Sequence, residues 1–240
     1  MTKLELGPLR VTAAGGSDRQ GGGDGPAVLL CHGFGAPGDD LVPFARVVDA
    51  GRDVRWFFPE APLALDLGWG VAGRAWWHID MVRLQEEMMR GQRLSLAEQV
   101  PDGLAEARVA LEACIEALCE RFVVARERLV IGGFSQGAMI STEIGLHAAT
   151  PFAGLALLSG NLLNEGSWRP AARSSGAQQH VLMSHGRADP ILPFEGAEAL
   201  RRMLEESGAA VEWVAHGGQH EIPPLVVQRL GAFLRQRLGT

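Results

Sequence analysis

Ser135 stands at the centre of Gly133-Phe134-Ser135-Gln136-Gly137, between the apolar run Leu129-Val130-Ile131 and a second apolar run that begins at Ala138. A strand that enters a G-x-S-x-G turn and leaves it as a helix forces the central serine into a tight, exposed bend. The flanking glycines belong to that geometry, because a side chain at either position would strike the neighbouring strand or helix. A hydroxyl is a poor nucleophile near neutral pH, so such a serine needs a neutral imidazole to take its proton and a carboxylate to orient the imidazole. Both follow in the order serine, acid, histidine that accompanies such an elbow. Asp189 lies in Ser184-His185-Gly186-Arg187-Ala188-Asp189-Pro190, and His220 in His216-Gly217-Gly218-Gln219-His220-Glu221. The chemistry predicted is acyl transfer through a covalent intermediate: Ser135 attacks a carbonyl carbon, His220 accepts and then returns the proton, and Asp189 fixes the imidazole. In a chain with 31 glycines the pentapeptide alone says little; the order of the three groups carries the reading.

Other candidates fit less well. His185 precedes a glycine in a tight turn and reads as support for Asp189. His216 and His220 are four residues apart, yet Gly217-Gly218 between them argues against a metal-binding helix. Asp102 and Glu143 fall in helical segments and read as surface or local partners. Gly33-Phe34-Gly35-Ala36-Pro37-Gly38 is a literal G-x-G-x-x-G after a strand, with Glu60 beyond the next strand, and so mimics a dinucleotide fingerprint. Asp39 and Asp40 would put negative charge where a pyrophosphate docks, and Pro37 removes one backbone donor. The chain also has no tyrosine to serve as the acid of a short-chain dehydrogenase. The same glycines suit an oxyanion hole better, since His32-Gly33-Phe34-Gly35 resembles the H-G-x-G turn of many esterases. Phe34 N–H would be one donor to the developing alkoxide and Gln136 N–H, just after the nucleophile, the other. His32 reads as the residue that stabilises the turn.

These groups need a scaffold that brings distant loops together. Apolar runs predict strands at 27–31, 54–58, 128–131, 153–158, 180–184 and 211–215. The run 27–31 has the character of a strand buried on both faces. Residues 4–6 and 9–11 flank Gly7-Pro8 as a small N-terminal hairpin, and 15–25 is a glycine-rich loop. Helices are expected at 41–49, opened by Asp39-Asp40, at 100–122, where Val100, Leu104, Ala107, Leu111, Ile115, Leu118 and Phe122 recur at spacings of three and four, and at 225–237. Strands alternating with helices imply an α/β fold with a mainly parallel sheet covered on both faces. In such sheets function gathers at the carboxyl ends of strands, which is where Ser135, Asp189 and His220 fall. The stretch 59–96, with Trp69, Trp76 and Trp77 among glycines, lacks periodicity and reads as a lid or binding insertion within a single domain spanning 1–240.

Composition narrows the partners. A net charge of −6 with scattered basic residues provides no Lys/Arg stripe to displace counterions from phosphates, which argues against nucleic acid. The N-terminus lacks the basic and long apolar regions of a secretory signal, and no apolar run reaches the length of a membrane span. Cys31, Cys114 and Cys119 are odd in number and lack paired spacing, which predicts reduced core residues in a cytoplasmic protein. The chemistry needs neither a metal nor an organic cofactor. Exposed apolar loop residues would suit either a homodimer or a lipid surface.

The chain resembles the phospholipase/carboxylesterase family of α/β-hydrolases, which includes acyl-protein thioesterases and lysophospholipases. The resemblance runs from about Pro26 to the C-terminus. It rests on His32-Gly33-Phe34-Gly35, Pro59-Glu60-Ala61-Pro62, Arg74-Ala75-Trp76-Trp77-His78-Ile79-Asp80, Gly133-Phe134-Ser135-Gln136-Gly137-Ala138, Ser184-His185-Gly186-Arg187-Ala188-Asp189 and Gly218-Gln219-His220-Glu221-Ile222, in that order. It implies a Ser135, Asp189, His220 triad, Phe34 and Gln136 as oxyanion donors, and Trp76-Trp77 as lining of an acyl or alcohol pocket. The activity it implies is cleavage of carboxylic esters, with thioesters or lysophospholipids as further substrates. An acyltransferase, a peptidase and a non-catalytic binding protein on the same scaffold are the alternatives. Ala36, where family members often carry Asp, and the longer, more polar segment 81–94 are departures that bear on substrate.

Overall fold

The computed structural model describes residues 1–68, 72–79 and 96–240. The expected insertion 59–96 thus lies partly outside the described residues, and Trp69, Asp80 and the segment 81–94 wholly outside them.

The chain opens with β1 (Thr2–Leu6) and β2 (Leu9–Gly15), an antiparallel pair in which Leu6 faces Leu9 across the Gly7-Pro8 turn. Then come β3 (Ala27–Cys31), buried at every position, the short helix α1 (Phe44–Val47) and β4 (Arg55–Pro59). Next are β5 (Leu63–Asp66) and β6 (Ala72–Ala75), which pair only with each other. The remainder alternates: α2 (Leu104–Phe122), β7 (Leu129–Phe134), α3 (Gln136–His147), β8 (Gly154–Leu158), α4 (Glu165–Ser175), β9 (His180–Gly186), α5 (Phe194–Glu206), β10 (Ala210–His216) and α6 (Pro224–Leu238).

The main sheet has eight strands in the order β1-β2-β4-β3-β7-β8-β9-β10. From β4 to β10 every neighbour is parallel; β2 pairs antiparallel with both β1 and β4, so the N-terminal hairpin widens the sheet. Successive residues of a strand point to opposite faces, and each face has its own core. Leu29, Ile131, Leu155 and Val181 pack with Leu111, Ile115, Trp168 and Leu200 from α2, α4 and α5 on one side. Val28, Leu30, Val130 and Leu182 pack with Val226, Leu230 and Phe233 of α6 on the other. Full burial of each such aliphatic side chain is worth roughly 1.5–3 kcal/mol.

Three local expectations change. The helix expected at 41–49 is confined to Phe44–Val47, because Pro43 has no N–H to continue a ladder from Asp39, whose carbonyl accepts Val42 N–H instead. The helix expected from residue 100 begins at Leu104, behind Pro101 and a left-handed Gly103 (φ 92), and Val100 is left exposed. The segment expected to lack regular elements holds the antiparallel pair β5-β6, clipped to the turn after β3: Gly35 N–H donates to Arg74 O and Arg74 N–H to Ala36 O, both at 2.8 Å. Among the described residues no helix is long and apolar enough to cross a membrane.

The topology positions the site. The chain passes from β3 to β4 on one side and later returns with β7 on the other, so strand order reverses between β3 and β7. Loops leaving the carboxyl ends of strands at such a point diverge and open a crevice. Cys31 is paired with Gly133, so the turn after β3 and the elbow after β7 start level with each other.

Candidate active site

The elbow is built as its residues dictate. Ser135 has φ 57 and ψ −119, a left-handed conformation that side chains rarely adopt. It is held by its N–H donating to Leu158 O at 2.9 Å, while its carbonyl accepts Ala138 and Met139 N–H at the start of α3. A β-carbon added to Gly133 or Gly137 would fall inside contact distance of Cys31 O, and one on Gly137 would also lie 2.6 Å from His32 O. Glycine at both positions is what lets β7 and α3 close on β3. One strand over, a β-carbon at Gly33 would sit 3.4 Å from Ser135 Cβ, so the turn after β3 lies against Ser135.

His32 organises that turn. It is 1% exposed; its Nε2 accepts Ala61 N–H at 3.0 Å, which leaves the proton on Nδ1, and Nδ1 donates to Gly33 O at 2.7 Å. Burial pushes this imidazole below its ordinary range, in keeping with a neutral ring. Among the described residues no turn or loop bond uses the Phe34 N–H, and Gln136 N–H, first in α3, has no intrahelical acceptor. Among the described residues, then, neither of the two amides expected as oxyanion donors has an acceptor in the turn or the helix.

Asp189 and His220 leave the ends of β9 and β10 and meet. His220 Nδ1 lies 2.6 Å from Asp189 Oδ2, and the carboxylate is fully buried. Asp189 Oδ1 accepts Ile191 and Leu192 N–H, each at 2.9 Å. Burial raises this carboxyl, but the His220 hydrogen bond and the two amides outweigh it and hold the group below the usual carboxylate range. The His220 ring rests 4.7 Å from the ring of Phe134, the residue before Ser135. Among the described residues Ser135 Oγ has no hydrogen-bond partner; the histidine is beside the elbow, and the serine–histidine bond itself is not formed.

The other histidines sort by contact. His185 is wholly buried; its Nε2 donates to Leu192 O at 2.8 Å and lies 3.3 Å from Asp189 Oδ2, so it buckles the acid's loop to β9. His216 accepts Gly218 N–H through Nδ1 and does not reach Asp189. Burial lowers both imidazoles. Glu143 serves a local cluster, taking Trp168 Nε1–H at 2.5 Å and Arg108 at 3.2 Å.

Trp76 and Trp77, expected as pocket lining, are 1% and 2% exposed and packed in the core under α2. The Trp76 indole donates to His32 O at 3.0 Å, and the Gln136 carboxamide spans the pair, accepting Trp76 N–H and donating to Trp77 O, both at 2.9 Å. Sequence reasoning assigned Gln136 through its backbone alone; nothing in the spacing reveals where its side chain goes.

The family model for phospholipase/carboxylesterase matches residues 22–238. Among curated relatives, acyl-protein thioesterase 1 of Schizosaccharomyces pombe is 31% identical over 183 residues, covering 74% of each chain. Acyl-protein thioesterase 1 of Gibberella zeae is 26% identical over 221 residues, covering 88% of this chain and 90% of that protein. Among solved structures, esterase PE8 superposes with a TM-score of 0.76 over 96% of this chain and 99% of its own at 22% identity. A carboxylesterase from Mesorhizobium loti gives 0.71 over 99% and 98% at 18% identity. At these identities the structural likeness is one of fold.

Proposed function

The chain belongs to the phospholipase/carboxylesterase family and is a hydrolase of the ester- and thioester-cleaving kind, and from that premise we propose that Ser135, His220 and Asp189 carry out the cleavage. Ser135 Oγ attacks the acyl carbon while His220 Nε2 takes its proton. The tetrahedral oxyanion accepts the Phe34 and Gln136 N–H groups, and the proton passes to the leaving alcohol or thiol as the acyl-enzyme forms. Water then attacks the acyl carbon and gives its proton to the same nitrogen, which hands it to Ser135 Oγ as the acyl–oxygen bond breaks and the acid leaves. Asp189 keeps the His220 proton on Nδ1, so that Nε2 is the acceptor. The observation that carries this reading is the buried 2.6 Å contact between Asp189 and His220 at the mouth of a left-handed serine elbow.

The substrate in this proposal is a small acyl ester or thioester. Thioester cleavage is supported by the thioesterase names of the relatives. We assign Trp76 and Trp77 to the scaffold of the site rather than to its wall, on the strength of their burial. Cytoplasmic residence belongs to the same proposal and is supported by three unpaired cysteines, two of them buried. So does a homodimer, for which exposed Val47 of α1 and Leu225 of α6 offer apolar surface; light scattering tests it. The decisive experiment is Ser135→Ala against short p-nitrophenyl esters and their thioester counterparts, with fluorophosphonate labelling of the unaltered protein. Turnover near the starting level in Ser135→Ala, or an unlabelled Ser135, sinks the proposal.

A further inference from the structure

The two oxyanion amides follow different strands, β3 and β7, and the described contacts join them through one dipeptide, residues 76–77. We propose that the Gln136 side chain and the Trp76 indole are positioning residues that hold the Phe34 and Gln136 amides in register. This rests on the role given to Ser135 above.

Gln136 is the first residue of α3, at the edge of the crevice, yet it is 0% exposed. A buried carboxamide is tolerated only when both its ends are satisfied. Here both are, and by main-chain groups of a single segment: Oε1 takes Trp76 N–H and Nε2 gives to Trp77 O. The residue whose own N–H faces the oxyanion is thus anchored through its side chain to a second stretch of backbone. An unanchored helix start would leave that N–H to follow the motion of the first turn.

Trp76 carries the linkage to the other amide. Its indole N–H donates to His32 O, the carbonyl just before Gly33. The His32 ring then draws Gly33 O toward itself through Nδ1–H. In a trans peptide the C=O and N–H point in opposite directions, so holding Gly33 O on the histidine side turns Phe34 N–H away from it. Trp76 therefore touches the elbow through its backbone N–H and the oxyanion turn through its indole. Gly35 N–H to Arg74 O, two residues earlier in the same segment, reinforces the second attachment. Packing alone would ask only for bulk at residues 76 and 136; these contacts ask for two donors and an acceptor in fixed directions.

The test separates shape from hydrogen bonding. Trp76→Phe keeps an aromatic ring but removes the indole donor together with part of a buried ring, so its loss of kcat is read against its loss of melting temperature. Gln136→Met keeps the chain length and removes both carboxamide bonds. In the full chain, kcat and KM for p-nitrophenyl acetate are measured beside the rate of inactivation by a fluorophosphonate. That reagent forms a bond from Ser135 Oγ to phosphorus, releases fluoride, passes the proton to His220 and places its phosphoryl oxygen where the oxyanion forms. A misplacement on the order of 1 Å costs about a hundredfold, and a lost donor about a hundred- to a thousandfold. Each variant is therefore expected to lose about ten- to a hundredfold in kcat and in labelling rate, with KM changed by less than about threefold. The double variant is expected to lose less than the product of the two, because both act on one hole. If kcat and labelling stay within about twofold while the melting temperature drops, the two residues only pack and the proposal is overturned. Should Gln136→Met fail to fold, Trp76→Phe decides alone. A Ser135→Ala protein that still turns over removes the nucleophile assignment instead, so the two failures are distinct.

Discussion

Replacing Asp189 by Asn changes one atom at a fully buried position and should nearly abolish turnover without unfolding the protein. The carboxylate uses its two oxygens differently: Oδ1 accepts Ile191 and Leu192 N–H, and Oδ2 faces His220 Nδ1 at 2.6 Å. An Asn side chain has one oxygen and must choose. With the oxygen toward the two amides, its NH2 group points at His220 Nδ1 and also toward His185 Nε2, 3.3 Å away in the parent. The reverse orientation would set two N–H donors against an NH2; Ile191 is exposed and can turn to water, but the part-buried Leu192 amide would lose its acceptor, at about 1–3 kcal/mol. The first orientation is therefore favoured by about 1–3 kcal/mol. In it the NH2 donates to His220 Nδ1, the imidazole proton moves to Nε2, and the nitrogen that should receive the Ser135 proton is already protonated. For the same exchange in a serine-protease triad the loss is about ten-thousandfold in kcat, or about 5.4 kcal/mol of barrier at 1.36 kcal/mol per decade. Steady-state hydrolysis of a p-nitrophenyl ester reads it directly, with KM close to the parent's. Asp189 also stabilises the fold, with a known sign. Its folded pKa lies below the unfolded value, so its contribution is present above about pH 4 and lost as pH falls through the folded value. Asp189→Asn should therefore lose stability at neutral pH and show a flatter acid limb. A variant that keeps more than about a tenth of kcat refutes the tautomer argument.

Other outcomes follow from the same coordinates. Gly137→Ala drives a β-carbon into the Cys31 and His32 carbonyls of the central sheet, which should cost about 1–3 kcal/mol and, by withdrawing α3 from β3, about a hundredfold in kcat. Gly166→Ala, in an exposed turn of α4 with nothing within 4 Å, is the control, and calorimetry should find it neutral or up to about 1 kcal/mol more stable. Trp168→Phe removes the donor to buried Glu143 and should cost about 1–3 kcal/mol. Because Glu143 lies about 12 Å along α3 from Ser135, kcat should not move, and a parallel loss of activity would contradict the assignment. His32, His185 and His216 are each pushed down by burial. Between their folded values and the unfolded value near 6.5 the unfolded chain binds more protons, so stability is complete above about pH 7 and declines as pH falls through about 6.5. Urea midpoints should drop from pH 7.5 to 5.5. A flat or rising series would mean that these rings are not held neutral.

Much of the frame was legible in the amino-acid order. Five-residue apolar runs with no polar alternation, as in Ala27–Cys31, announce strands buried on both faces, and the structure places every residue of that run in one of two cores. Periodicity also revealed α2 and α6 within a few residues. Boundaries were missed where a single residue acted locally, as Pro43 did on α1 and Gly103 on α2. The docking of β2 on β4 was not legible at all, because antiparallel pairing of residues 40 to 48 apart leaves no local pattern.

The site divides along the same line. Residue type, order and position at strand ends single out Ser135, Asp189 and His220, because a nucleophile, a base and an acid must be particular side chains and an elbow must carry particular glycines. The 2.6 Å contact of Asp189 with His220, the bond by which His185 ties the Asp189 loop to Leu192 O, and the inward burial of Trp76 and Trp77 exist only in the tertiary structure. The difference is physical. Chemical identity is written one residue at a time, whereas a hydrogen bond such as Gln136 to Trp77 depends on two strands and a hairpin arriving together, and its direction exists only once they have packed.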